Sequence, residues 1–267
     1  MSRIGEKFNA VLKNRSKALI PYITAGEPNM EMTQRLVAAM AHNGADIIEL
    51  GVPFSDPLAD GTTIQRASQK ALKRGTDLVI ILHAVEEMRK KSSLPLVLMS
   101  YYNPILRYGL KRFVQHASDA GVDGIIVPDL PPEEAGELME MAKPKDFDVI
   151  FLVTPTSTKE RIKLVSRHST GFVYCVSLTG VTGARREIYG GLRQFLKAVR
   201  IHTDKPLAVG FGISTPEQAG KVAQMADGVI VGSAIVDLIE RTPDERAVVD
   251  RVGAFVGQLK SRIEQGE

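Results

Sequence analysis

The chain alternates between short, unbroken apolar runs and longer stretches whose apolar residues recur at helical spacing. The runs are rich in Ile, Val and Leu. They mostly lack the alternation of a half-exposed strand, so they predict strands that are buried on both faces of a parallel sheet. Eight such runs occupy residues 18–23, 46–50, 96–101, 124–128, 148–153, 172–176, 207–211 and 228–231.

The stretches between the runs predict amphipathic helices. Ser157 with Glu160, and Ser214 with Glu217, have the spacing of a capping box, in which a hydroxyl and a carboxylate satisfy free amides of the first turn. We therefore expect Ser157 and Ser214 to be the N-caps of two of these helices.

Strand and helix alternate about eight times, and a right-handed crossover at each step closes such a sheet on itself. We predict an α/β fold, a single-domain (β/α)8 TIM barrel over residues 1–267, with an extra N-terminal helix that caps its bottom. The apolar stripe of that helix is Ile4, Phe8, Val11 and Leu12. An open doubly wound sheet is the alternative. A dinucleotide fingerprint after the first strand would favour it, and residues 24–28, Thr-Ala-Gly-Glu-Pro, do not form one.

Composition narrows the class of protein. A barrel of this type takes about 250 residues, and the chain has 267. Its 34 basic and 31 acidic residues give a net charge of +3 and are interspersed, which argues against nucleic acid or a membrane surface as the main partner. The N-terminus lacks the apolar block of a secretory signal, so we expect a cytoplasmic protein. One cysteine, Cys175, excludes an internal disulfide, and no ligand cluster predicts a metal.

In a barrel of this type the active site lies at the carboxyl ends of the strands. Glu49 stands at such an end among Ile and Leu, with no basic neighbour in sequence, so we expect its pKa to be raised and its side chain to carry a proton near neutral pH. The alternative is a solvent-exposed glutamate paired with an outer helix.

The loop over residues 51–61 follows Glu49. Loops between strand and helix usually have ~2 to 6 residues, whereas this segment has 11, which indicates a binding or lid role. Asp56 and Asp60 lie in it. Each is also explained as a turn residue, because Asp readily bonds to the backbone ahead of it.

Two glycine-rich turns follow the seventh and eighth runs. Gly210-Phe211-Gly212 and Gly232-Ser233 occupy the place where barrels hold phosphate, because glycine lets backbone amides approach an anion closely. Residues 177–186, after the sixth run, have the composition of a mobile lid or of an idle surface loop. No lysine stands at the carboxyl end of a strand, so a Schiff-base mechanism lacks its nucleophile.

Three motifs together resemble the tryptophan synthase alpha chain family. They are residues 49–61, Glu-Leu-Gly-Val-Pro-Phe-Ser-Asp-Pro-Leu-Ala-Asp-Gly; residues 180–183, Gly-Val-Thr-Gly; and residues 210–213, Gly-Phe-Gly-Ile. The match extends over nearly the whole chain. Thr62 departs from it, because the family usually has proline there, and phenylalanine is also common where this chain has Tyr22.

The resemblance implies a (β/α)8 lyase that cleaves indole-3-glycerol phosphate to indole and glyceraldehyde 3-phosphate. Glu49 would be the general acid and base, and Asp60 would accept a hydrogen bond from the indole nitrogen. The substrate-binding positions implied are Tyr22, Tyr101, Tyr174, Thr182, Gly183, Gly210, Phe211, Gly212, Gly232 and Ser233.

The resemblance also implies a partner. Indole would pass to a beta chain in an α2β2 complex, with pyridoxal phosphate in the beta chain and no cofactor in this one. The implied interface positions are Asp56, Asn103, Pro131 and Pro132.

Two other readings of the residues remain open. One is a different phosphate-binding barrel, such as a sugar-phosphate isomerase or epimerase. The other is a barrel whose main role is to bind and activate a partner subunit. The long loop over residues 51–61, called the second loop below, would make the contact with that subunit.

Overall fold

The structure is a computed structural model that describes residues 1–177 and 190–265. Within these ranges the chain forms nine strands and twelve α-helices, with a 3-10 turn at Lys143–Lys145. The strands are β1 (Ala18–Thr24), β2 (Ile48–Gly51), β3 (Leu96–Met99), β4 (Gly124–Ile126), β5 (Asp148–Ile150), β6 (Leu152–Val153), β7 (Val173–Val176), β8 (Leu207–Gly210) and β9 (Gly228–Val231).

The helices follow the strands in the alternation that the sequence predicts. They are α1 (Arg3–Lys13), α2 (Met30–His42), α3 (Thr62–Lys73), α4 (Leu78–Arg89), α5 (Tyr102–Tyr108), α6 (Leu110–Ala120), α7 (Gly136–Ala142), α8 (Lys159–His168), α9 (Leu192–Arg200), α10 (Pro216–Ala223), α11 (Ser233–Glu240) and α12 (Glu245–Gln265). None of the helices in the described ranges combines the length and apolar character needed to cross a membrane.

The strands form one parallel sheet in the order β5-β4-β3-β2-β1-β9-β8-β7-β6. The two ends of this order, β5 and β6, are consecutive in the chain and separated by Phe151 alone, so the sheet closes into a TIM barrel. The predicted run 148–153 is therefore one strand in two pieces. The division occurs because the amide of Phe151 donates to the hydroxyl of Ser169, at 3.0 Å, and not to a neighbouring strand.

The apolar runs are buried on both faces, as the sequence predicts. On β1, Ile20 and Tyr22 pack inside the barrel, whereas Leu19 and Ile23 pack against the surrounding helices. The helix α1 covers the bottom of the barrel, where the ring of Phe8 lies 5.6 Å from that of Phe172. This confirms the predicted N-terminal cap.

Two helix starts differ by one residue from the prediction. The N-caps of α8 and α10 are Thr158 and Thr215. Their hydroxyls accept hydrogen bonds from the amides of Arg161 and Gln218, the third residue of each helix. Ser157 is not the cap because its hydroxyl accepts from the amide of Thr154, at 3.0 Å. The hydroxyl of Ser214 lies 3.1 Å from Oε1 of Gln218, to which it donates.

Candidate active site

Glu49 lies at the centre of β2, with Tyr22 of β1 and Val97 of β3 as its neighbours in register. The side chain is 1% exposed, and its Oε2 has no hydrogen-bond partner among the described residues. Burial, and then the nearby charge of Asp60, raise the pKa of Glu49 to about 8. The group is therefore mainly protonated at neutral pH, as the sequence predicts.

Asp60 lies in the loop between β2 and α3, immediately before Gly61, the N-cap of α3. The loop is held against Tyr101, whose hydroxyl accepts from the amide of Ala59 at 2.8 Å and donates to the carboxylate of Asp60. Burial raises the pKa of Asp60 to about 6, and the bond from Tyr101 opposes that rise. At neutral pH Asp60 is mainly ionised while Glu49 is mainly protonated.

Two tyrosines stand beside these carboxyl groups, each against a glycine at the end of the neighbouring strand. A Cβ on Gly51 would lie 2.0 Å from the hydroxyl oxygen of Tyr22, and one on Gly210 would lie 2.3 Å from that of Tyr174. The two glycines thus give the rings the room that they occupy. The ring of Phe211 meets that of Tyr174 edge-on, with 5.8 Å between centroids.

These groups share a small cavity at the carboxyl end of the barrel. Among the residues that line it are Tyr22, Glu49, Asp60, Ile64, Met99, Tyr174, Phe211, Gly212, Ile213, Ile230, Gly232 and Ser233. The cavity therefore brings both candidate carboxyl groups next to the two glycine-rich turns, although more than 150 residues separate Glu49 from Gly212 in sequence.

The glycine-rich turns have the backbone expected of an anion site. Phe211 and Gly212 have φ angles of 72° and 76°, a left-handed conformation that is strained for Phe211. Gly232 is the N-cap of α11, whose first turn has neither a side-chain cap nor an acidic residue. The free amides of α11 and its dipole are therefore available to an anion.

A second cavity, of about 640 Å³, adjoins the first through Ile64, Gly212 and Ser233. The start of α3, at Gly61, Thr62 and Thr63, also borders it. Across the described ranges, no three His, Cys, Asp or Glu side chains come together around a point where a metal ion could bind. The arrangement is thus two carboxyl groups of different pKa beside two glycine-rich turns whose backbone suits an anion.

Comparison with known proteins agrees with this geometry. The family model described as "Tryptophan synthase alpha chain" matches residues 8–264. A tryptophan synthase alpha chain of Geobacter sulfurreducens is 54% identical over 264 residues, with 98% of this chain and 99% of the relative covered. One from Geotalea uraniireducens is 50% identical over 263 residues, with 98% of each covered. The chain belongs to the tryptophan synthase alpha chain family.

Solved structures agree with that assignment. The structure of Mycobacterium tuberculosis tryptophan synthase matches with a TM-score of 0.90 at 39% identity and covers 98% of both chains. Tryptophan synthase subunit alpha from Legionella pneumophila matches with a TM-score of 0.89 at 38% identity, again over 98% of both. As a tryptophan synthase alpha chain, the protein is a lyase that cleaves indole-3-glycerol phosphate and passes indole to a beta chain. The resemblance stated from the motifs is confirmed.

The structure places most of the tryptophan synthase alpha chain positions that the sequence singled out. Tyr22, Glu49, Asp60 and Tyr174 line one cavity, and Tyr101 reaches it through its bond to Asp60. Thr182 and Gly183 lie outside the described residues.

The positions expected to meet a beta chain lie on the same end of the barrel but differ in exposure. Asp56 and Asn103 are exposed, Pro131 is half-buried, and Pro132 is buried. Asn103 borders a groove with Pro53 and Phe54 of the second loop. Leu58, at the tip of that loop, is 84% exposed.

Three apolar lining residues were not singled out from the sequence: Ile64, Met99 and Ile230. Met99 and Ile230 lie on predicted strands, and their inward orientation could have been read from the same periodicity as that of Glu49. Ile64 carries no such signal, because its place in the cavity depends on how α3 packs against the barrel.

Proposed function

We propose that Glu49 and Asp60 are the groups that carry out the lyase reaction of this chain. Two carboxyl groups in one cavity, one protonated and one ionised at neutral pH, suit a reaction that must deliver a proton to one atom and stabilise positive charge on another. The observation that carries the proposal is the buried Oε2 of Glu49, which faces the cavity without a partner among the described residues.

The protonated carboxyl of Glu49 would donate its proton to C3 of the indole ring. The ring then becomes a cationic indolenine, which can accept the electron pair of the bond between C3 and the glycerol side chain. As that bond breaks, the Glu49 carboxylate takes the proton of the neighbouring side-chain hydroxyl, whose oxygen becomes the carbonyl of glyceraldehyde 3-phosphate. Indole is released and Glu49 is again protonated, so protons and electrons balance.

Asp60 would accept a hydrogen bond from the indole N–H and stabilise the positive charge that develops on the ring. Its pKa of about 6 keeps it mainly ionised at neutral pH. The hydrogen bond from Tyr101 favours the same state. Tyr22, Tyr174 and Phe211 would form the walls around the ring.

The phosphate tail would bind at the two glycine-rich turns. Gly210, Phe211 and Gly212 would present backbone amides on one side, and Gly232 and Ser233 at the start of α11 on the other. The lid positions Thr182 and Gly183 would complete the site, as the resemblance implies.

We further propose that this chain works in the cytoplasm as one domain over residues 1–267, without a bound cofactor, in an α2β2 complex. Pyridoxal phosphate would belong to the beta chain. Asp56, Asn103, Pro131 and Pro132 would contribute to the interface, and the exposed Leu58 on the second loop supports an apolar contact there. Analytical ultracentrifugation of the mixed chains tests the stoichiometry.

The decisive experiment is the substitution Glu49→Gln. It is expected to abolish indole formation from indole-3-glycerol phosphate while leaving the affinity for a glycerol-phosphate ligand nearly unchanged, because backbone amides of the turns, and not the side chain of Glu49, would hold the phosphate. Glu31→Gln, at an exposed position on α2, is the matched control. Substantial turnover by the Glu49→Gln variant would remove this residue from the mechanism. A wild-type chain that is inactive alone and alters only the turnover of an added beta chain would favour the role of an activating subunit.

A further inference from the structure

Ser177 holds the glycine-rich turn that follows β8. It comes directly after β7, the neighbouring strand, and is 3% exposed. Its amide donates to the carbonyl of Gly210 at 3.0 Å, and its hydroxyl donates to the carbonyl of Phe211. One buried residue therefore binds two successive carbonyl groups of a turn that borders the cavity.

These two hydrogen bonds also fix the directions of two amides. The carbonyl and the N–H of a trans peptide group point in opposite directions, and the one cis bond among the described residues lies elsewhere, before Pro28. The carbonyl of Gly210 shares its peptide group with the amide of Phe211, and the carbonyl of Phe211 shares its group with the amide of Gly212. Because both carbonyls face Ser177, both amides point away from it.

The amides of Phe211 and Gly212 donate to no acceptor among the described residues. Both residues line the cavity that contains Glu49. Successive free amides in a turn form a concave site that suits an anion. An oxygen atom of a phosphate group at this wall of the cavity would give the two amides the acceptor that they lack.

The conformation of this turn needs support. Phe211 has a φ of 72°, in the left-handed region that bulky residues rarely adopt, because the Cβ approaches the following carbonyl oxygen. The contact with the ring of Tyr174 holds the side chain of Phe211 but leaves the directions of the peptide groups open. A rotated peptide group would turn a carbonyl oxygen towards the phosphate and repel it. The hydrogen bond from the hydroxyl of Ser177 stabilises the observed orientation against that rotation.

We propose that Ser177 is a positioning residue for the phosphate group of the substrate, because its hydroxyl and amide keep the N–H groups of Phe211 and Gly212 directed at the anion. The inference rests on the proposed binding of phosphate at the glycine-rich turns. The hydroxyl of Ser177 bonds to the turn and acts on the phosphate through it. Its removal is therefore expected to weaken the interactions that involve phosphate and to spare the others.

The test compares substrates with and without phosphate, in the full chain. Indole formation is measured from indole-3-glycerol phosphate and from its dephosphorylated form, indole-3-glycerol, in the wild type and in Ser177→Ala. We expect kcat/KM for the phosphorylated substrate to fall about tenfold and that for indole-3-glycerol to stay nearly unchanged. A merely structural role would lower both values by one factor and would overturn the proposal, as would wild-type selectivity in the variant.

Ser169 supplies a matched control, before the other end of β7. It is buried, and its hydroxyl also bonds to the backbone, accepting from the amide of Phe151 at 3.0 Å. Ser169→Ala removes a serine hydroxyl of the same kind without changing the turn, so it is expected to keep the wild-type ratio of the two kcat/KM values. An equal change of this ratio in both alanine variants would overturn the proposal.

A second substitution at the same position covers the case in which Ser177→Ala does not fold. Ser177→Cys keeps a side chain of similar size but has a weaker donor. We expect a smaller loss of the same selectivity for the phosphorylated substrate. Wild-type selectivity in a folded Ser177→Cys would then overturn the proposal. Circular dichroism of each variant establishes that it is folded.

Titration with glycerol 3-phosphate separates this inference from the proposed function. The ¹H–¹⁵N NMR signals of Phe211 and Gly212 are expected to shift in the wild type as the ligand binds, and Ser177→Ala is expected to raise the Kd about tenfold. If both signals shift in the wild type and the Kd is unchanged in Ser177→Ala, the phosphate site stands and the role of Ser177 fails. If neither signal shifts in the wild type, the proposed phosphate site fails and this inference fails with it.

Discussion

The hydroxyl oxygen of Tyr174 occupies space that a side chain on Gly210 would need, 2.3 Å from the position of its Cβ. The two residues lie on adjacent strands. Tyr174 of β7 pairs with Ala208 of β8, and its side chain reaches along β8 to Gly210, two residues further on. The width of the cavity above Glu49 is therefore set partly by an atom that is absent from Gly210. The strand-end glycines Gly51 and Gly210 therefore help to set the volume of the cavity, because tyrosine rings occupy the space beside them.

This relationship predicts that Gly210→Ala pushes Tyr174 into the cavity. We expect a marked loss of kcat/KM and a destabilisation of about 1–3 kcal/mol, as for other overpacked cores. Steady-state kinetics and urea denaturation measure both effects. Gly136→Ala, at a helical position where a Cβ meets nothing within 4 Å, is the control and should preserve activity. Wild-type kinetics in Gly210→Ala would show that the cavity adapts to the added methyl group.

The pH dependence of the reaction follows from the two carboxyl groups. The proposed mechanism needs Asp60 ionised, with a pKa of about 6, and Glu49 protonated, with a pKa of about 8. The profile of kcat/KM should therefore be bell-shaped, rising as the pH passes the lower value and falling as it passes the higher one. In Asp60→Asn the residual activity should lose the acid limb and keep the alkaline one. A profile that rises through the alkaline range would assign the opposite protonation state to Glu49.

The raised pKa of Glu49 also has a cost in stability. The folded chain holds a proton with a pKa of about 8, whereas the ordinary value is 4.5, so the unfolded chain releases that proton at lower pH. Between these values the folded state binds more protons, and stability falls as the pH rises through the window.

Glu49→Gln removes this dependence. At pH 8 the variant is expected to be more stable than the wild type by about 4 kcal/mol, with the difference vanishing below the unfolded pKa. Urea denaturation at several pH values measures the effect, and Glu31→Gln again serves as the exposed control. An equal free energy of unfolding for wild type and Glu49→Gln at every pH would contradict the raised pKa.

At the opposite end of the barrel, Lys260 of α12 bonds to Asp46 at 2.8 Å, and the same carboxylate accepts from the amide of Leu19 at 2.9 Å. Lys260→Met would leave that largely buried carboxylate without its cation. We expect a loss of about 2–4 kcal/mol in the free energy of unfolding, with kcat nearly unchanged because the pair lies far from the cavity. Lys111→Met, at an exposed position on α6, is the control. If both variants unfold at the same urea concentration, the ion pair contributes little.

The amino-acid sequence by itself determined the positions of the strands and of the main chemical groups. Runs such as 207–211 and 228–231 are read correctly because burial on both faces of a strand is a local property of composition. The expected burial and raised pKa of Glu49 follow from the same apolar neighbours, and the motif around residues 49–61 is enough to indicate the family.

Tertiary structure decided what depends on contacts between distant segments. The interruption at Phe151 arises from the hydroxyl of Ser169, and the cap of α8 moves to Thr158 because Ser157 binds Thr154. The pKa of Asp60 is set by its burial and by Tyr101, which is 41 positions away in the chain and comes within reach when the barrel closes. Local patterns report the environment of a segment, whereas distances between segments exist only in the folded chain.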